Sequence, residues 1–166
     1  HKFHGPKGIG FLYASSVDFD SYLHGGDQEQ KKRAGTENLA AIVGMVAALK
    51  EDLKYQVEHY QKLSALKATF LEEIADLDYY LNESNHQLPY VVNIGFPGQK
   101  NDLLLLRLDL EGISISTGSA CTAGIVQTSH VLEAFYGPDS HRLKESVRIS
   151  LSPLNTEEEL KQLAQT

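Results

Sequence analysis

At 166 residues, 42% of them hydrophobic and 22% charged, the chain has the make-up of one ordinary globular domain with enough apolar material for a core. A formal net charge of −7 argues against a nucleic-acid footprint, and no apolar run approaches the roughly 18 residues of a membrane span. One cysteine cannot form an internal disulfide, so the reducing cytoplasm is the expected compartment.

The chain opens on His1-Lys2 without an initiator methionine, and its first residues have the character of mid-domain sequence. The expectation is a piece of a larger protein. Gly5-Pro6 and Gly8 punctuate a turn, after which residues 9–13 read as a buried strand. These glycines do not lie between a strand and a helix, so they make no dinucleotide fingerprint. His1 and His4 lack further ligands at metal-binding spacing, and no metal site is expected. Taken alone, Lys2 reads as a solvated surface lysine. Residues 15–35 read as irregular, with turn signals at Gly25-Gly26-Asp27.

Thr36 has the chemistry of a helix N-cap. Beyond it Leu39, Ile42, Val43, Val46 and Leu49 mark one apolar helix face. A second amphipathic stretch over 55–77 carries Leu63, Leu66, Phe70, Leu71 and Ile74, while Lys50, Glu51, Asp52 and Lys54 read as solvated surface. Residues 82–89 are a polar break and 90–96 a strand. A leucine-rich helix starts at Asn101 and ends at Gly112, in the manner of a left-handed cap. The alternation over 113–116 predicts a strand with one apolar face, and 129–135 a short helix closed by Gly137-Pro138-Asp139. Residues 146–151 predict another strand, with Val147, Ile149 and Leu151 facing one way and Arg148 the other. Arg148 can grip a carboxylate bidentately or serve a structural salt bridge. Thr156 and the glutamates behind it open a final helix.

The lone thiol, Cys121, follows the strand predicted at 113–116. Gly118, Ser119, Ala120, Ala123 and Gly124 surround it with small residues. Free cysteines are usually buried small hydrophobes, but polar and small neighbours on both sides suit an accessible thiol on a flexible tether. Nothing in this stretch supplies the positive charge that would favour a thiolate.

Gly118-Ser119-Ala120-Cys121 resembles the active-cysteine loop of the cysteine desulfurases, in the long-loop group of that family. Three other segments resemble the same family in the same order. His1-Lys2 with Gly5-Pro6-Lys7-Gly8 resembles its cofactor-lysine segment. Gly25-Gly26-Asp27-Gln28-Glu29 through Arg33 and Gly35-Thr36 resembles its phosphate-contact motif, departing from it at Gln30-Lys31. Val147-Arg148-Ile149-Ser150-Leu151 resembles its substrate-arginine strand, followed here by Ser152-Pro153 where Gly-Arg is common.

The resemblance implies the C-terminal part of a pyridoxal-phosphate enzyme of the aspartate-aminotransferase-like fold type I. This is an α/β protein with an α+β small domain, in which long linking helices precede a small mixed sheet covered by helices. Residues 1–50 would end the large cofactor domain, and 51–166 would form the small domain with the cysteine loop. Lys2 would carry the cofactor and His1 would neighbour its phosphate. Thr36 would reach the phosphate of the partner subunit in a homodimer. Arg148 would hold the carboxylate of L-cysteine, and Cys121 would take its sulfur as a persulfide, leaving L-alanine. A sulfur-acceptor protein follows as partner, an iron–sulfur scaffold or a tRNA thiolase. The isolated piece is expected to be inactive. Selenocysteine lysis by a related enzyme, or a non-catalytic interaction module, are the alternatives.

Overall fold

The computed structural model describes residues 1–16, 18–84, 86–118 and 128–166. The chain divides into two compact units, His1–Gln56 and Val57–Thr166. Helix α1 (Leu39–Glu73) runs unbroken through the boundary. The two helices expected from the sequence are thus one, because residues 50–54 contain no Gly or Pro and good helix formers bridge the two apolar stretches.

In the first unit a short turn at Gln28–Lys31, with Glu29, Gln30 and Lys31 in the left-handed region at φ 50°, 56° and 65°, precedes α1. The strand expected over 9–13 is absent. Those residues carry no regular structure, and Phe11, Leu12 and Tyr13 are exposed. A strand needs a neighbour to take its backbone hydrogen bonds, and among the described residues none pairs with this one. The apolar face expected at the start of α1 is likewise largely uncovered: Leu39, Val43 and Val46 are exposed, whereas Met45 is buried.

The second unit is built on a three-stranded antiparallel sheet, β1 (Tyr80–Leu81), β2 (Val91–Gly95) and β3 (Ser146–Ser150), in the order β1-β2-β3. The small sheet expected to be mixed is therefore purely antiparallel among the described residues, and the unit is α+β. The register opposes Val92 to Ile149, Asn93 to Arg148 and Ile94 to Val147. Alternation sends Val92, Ile94, Val147 and Ile149 to one face. There they form a core with Leu63, Leu66, Phe70 and Ile74 of α1 and Leu160 of the C-terminal helix α5 (Glu157–Gln165). Thr156 and Glu159 close a reciprocal capping box at the start of α5.

Helix α2 (Asn101–Leu110) ends as its glycine predicts. Gly112 has φ 77°, its N–H donates to Asp109 O, and Ile113 N–H donates to Leu108 O. Ser129 Oγ caps the short α3 (His130–Tyr136) by accepting from Leu132 N–H, and α4 (Arg142–Glu145) leads directly into β3. No described helix is long and apolar enough to cross a membrane.

The second face of the sheet is polar and tightly bonded. Tyr80 lies over Gly95, where a β carbon would overlap its ring. The Arg142 guanidinium lies over the rings of both Tyr80 and Tyr136, 4.0 and 4.5 Å from their centres. The Tyr80 hydroxyl donates to one Glu145 oxygen at 3.2 Å, and Gly98 N–H donates to the other at 3.0 Å. Asn101, buried at the start of α2, donates to Leu143 O and Ser146 O. These bonds seat α4 and the first residue of β3.

Two predictions follow from the two faces. Phe70→Ala should destabilise the fold by about 3–5 kcal/mol in denaturant titration, the usual cost of emptying a buried phenyl site, whereas exposed Leu154→Ala should change it by less than about 0.5 kcal/mol. On the polar face, burial raises the Tyr80 phenol above its ordinary value; the Ser146 side chain opposes this and the Glu145 carboxylate adds to it. The protonated phenol is then favoured by folding. Its contribution is complete below the unfolded value near 10.0 and is lost as pH rises through the higher folded value. Thermal melts above about pH 10 should fall less steeply in Tyr80→Phe than in the native chain.

Candidate functional site

Arg148 stands at the centre of the polar face. Its neighbours Val147 and Ile149 point into the core, so its side chain emerges on the opposite side, half-buried. The Nε of its guanidinium is buried and has no hydrogen-bond partner among the described residues. Leaving such a donor unpaired costs about 1–3 kcal/mol, a cost that an anionic ligand would remove.

The backbone of Arg148 is held on both sides. Asn93 lies opposite it on β2. On the other side Arg148 N–H donates to Ser116 O at 2.6 Å, and Ser116 N–H donates to Arg148 O at 3.1 Å. The Ser116 hydroxyl adds a 3.3 Å bond to the same carbonyl. The strand expected over 113–116 is reduced to this one antiparallel bridge, because the cap of α2 already takes Ile113 N–H. Ser116 lies just ahead of the stretch holding Cys121. Cys121 itself falls within 119–127, outside the described residues.

The other sequence-derived candidates belong to the first unit. His1 and Lys2 are exposed, at a turn in which His4 N–H donates to His1 O at 3.1 Å. Behind them Pro6 packs on Gly44 of α1, where a β carbon would come within 2.8 Å of the proline ring. Thr36 is exposed and follows Gly35, whose φ of +105° suits glycine. Thr36 does not cap α1 as expected. The helix begins at Leu39, and Asn38 Oδ1 accepts from Ala41 N–H at 3.2 Å, which leaves the Thr36 hydroxyl out of the cap.

Several residues of the polar face escape a sequence reading. Asn82 and Asn93 are joined amide to amide at 2.9 Å, and Arg142 donates to Asn82 Oδ1 at 2.8 Å. The available signal is parity. Asn93 breaks an otherwise apolar strand at the position that must share a face with Arg148 once β2 and β3 pair.

The class-V aminotransferase family model matches residues 1–163. A putative cysteine desulfurase IscS 1 of Bacillus subtilis is 46% identical over 99% of this chain, and the cysteine desulfurase NifS of Azotobacter vinelandii is 36% identical over 96%. The chain spans less than half the length of these relatives, 44% and 40%. Among solved structures, a NifS-like protein superposes with a TM-score of 0.84 at 31% identity, covering 99% of this chain and 42% of its own. The structure described as SspA in complex with cysteine superposes with a TM-score of 0.64 at 32% identity, covering 94% and 43%. The chain belongs to the aminotransferase class-V family, whose members depend on pyridoxal phosphate.

Proposed function

We propose that this chain is the C-terminal part of a pyridoxal-phosphate-dependent cysteine desulfurase. In this reading residues 1–50 end the cofactor domain and 51–166 form the small domain. The exposed apolar side chains of the first unit, among them Phe11, Leu12, Tyr13, Tyr22 and Val43, support membership of a longer protein, since single domains seldom leave so many uncovered. The 166-residue chain by itself is inactive on this reading.

The observation that carries the proposal is the Arg148–Ser116 pair. It ties a buried guanidinium N–H that has no partner among the described residues to the root of the segment holding the only thiol in the sequence. A donor for a carboxylate and a thiol able to accept sulfur are what desulfuration of an amino acid requires.

The residues of the first unit fit the cofactor in kind. Lys2 offers an exposed amine at a turn whose following residues are seated on α1, suited to a carbonyl. Thr36 offers a hydroxyl not used by the helix cap, at the approach to a helix N-terminus, where anions are favoured. Lys2 would hold the cofactor, His1 would neighbour its phosphate, and Thr36 would contact the phosphate in the partner subunit of a homodimer. Pyridoxal phosphate supplies an electron sink to the substrate carbons.

Arg148 would anchor the carboxylate of L-cysteine and so aim its sulfur. The Cys121 thiolate would attack that sulfur as the substrate carbon–sulfur bond breaks. Thiol and cysteine become persulfide and alanine, with the displaced proton retained on alanine, so atoms balance. The persulfide then passes to an acceptor protein of iron–sulfur assembly or tRNA thiolation in the cytoplasm.

The test uses the full-length protein incubated with L-cysteine. The Cys121 peptide should gain about 32 mass units, one sulfur atom, and Cys121→Ser should abolish sulfide release. Turnover to alanine with Cys121 unmodified and the serine variant fully active would sink the mechanism. Arg148→Lys should raise the KM for cysteine about tenfold or more with little change in Tm, because an ammonium cannot reproduce the planar fork. A lowered Tm with unchanged kinetics would assign Arg148 to structure alone.

A further inference from the structure

We infer that Asn93 is a specificity-determining neighbour of Arg148: lying opposite it on the same sheet face, with its amide oxygen engaged by Asn82, it leaves the Arg148 guanidinium uncommitted and available to a carboxylate ligand. The inference rests on the reading of Arg148 as the carboxylate anchor.

The argument begins with Arg142, whose guanidinium can only donate. It donates to Asn82 Oδ1 at 2.8 Å, which fixes which end of the Asn82 amide is oxygen. The Asn82 NH₂ must then point the other way, and it donates to Asn93 Oδ1 and to Ser146 Oγ, both at 2.9 Å. Asn93 therefore turns its oxygen toward Asn82, and backbone pairing locks the two residues further, with Asn82 N–H donating to Asn93 O at 2.9 Å. Asn93 and Arg148 are register partners of β2 and β3, and directly opposed side chains in antiparallel strands start only about 4.5–5.5 Å apart at their β carbons. The side-chain oxygen of the residue opposite Arg148 is thus turned to Asn82, and Arg148 Nε is the one buried side-chain polar atom without a partner among the described residues.

An aspartate at the same position would be a built-in competitor for the substrate carboxylate. A leucine of similar shape would offer Arg148 nothing. In the full-length protein, Asn93→Asp should therefore raise the KM for L-cysteine about tenfold more than Asn93→Leu does, with kcat in the two variants within about threefold of each other. Asn82→Ala frees the Asn93 oxygen to turn to Arg148 and should also raise KM, and adding Asn93→Leu to it should bring KM back down. A merely structural role predicts the reverse, a double variant worse than either single one.

A readout independent of turnover is the Arg148 Nε–H resonance in the NMR spectrum of the full-length protein. It should move downfield in Asn93→Asp relative to the native chain and to Asn93→Leu. Equal KM values in the aspartate and leucine variants, or an unmoved resonance in Asn93→Asp, would overturn the inference. If the full-length protein does not desulfurate cysteine, the functional proposal falls, while the resonance still decides the role of Asn93.

Discussion

The pairing of β2 with β3 is the constraint on which the second unit depends. With Ile94 opposite Val147 and Val92 opposite Ile149, four side chains are committed to the core beneath α1 and α5. Strand alternation then leaves no choice for the remainder. Asn93, Ser146 and Arg148 must share the other face. A slip of one residue would bury Arg148 and expose Val147 and Ile149. The guanidinium is therefore placed by hydrophobic burial on the far side of its own strand. Polar bonds among Arg142, Asn82, Asn93, Tyr80 and Glu145 then order the rest of that face.

Much of this organisation is legible in the residues. The leucines and Phe70 of the second half of α1, the strands 90–96 and 146–151, the glycine stop after α2 and the cap at Thr156 follow from periodicity and end signals, and all are found. The failures share a cause. Residues 9–13 and the face of Leu39 and Val43 are apolar enough to be buried, but burial needs a partner surface that local sequence does not describe. The single long α1 is the opposite case, where helix propensity across 50–54 bridges two faces that periodicity separates. Thr36 and Asn38 are both competent N-caps, and only the position of the first helical turn selects Asn38.

The candidate site was legible to the extent that a residue type has one dominant chemistry. Arg148 between apolar neighbours is such a residue, and alternation alone sends it to the polar face. The amides of Asn82 and Asn93 carry no comparable signal, since their meaning comes from a register between β1, β2 and β3 and from a donor-only arginine in α4. Their roles emerge only when strands far apart in sequence are laid side by side.

That same register has a consequence during synthesis. The partner of β2 lies some fifty residues downstream, so the sheet cannot form until β3 has left the ribosome. At about 5–20 residues per second, the apolar stripe of α1 waits several seconds after its own translation for the strands and for α5 to cover it. Throughout that interval Leu63, Leu66, Phe70 and Ile74 form a ready-made target for chaperones that hold nascent chains. The late arrival of the Arg148 strand thus completes the sheet, and α5, translated just behind it, closes the core over that stripe.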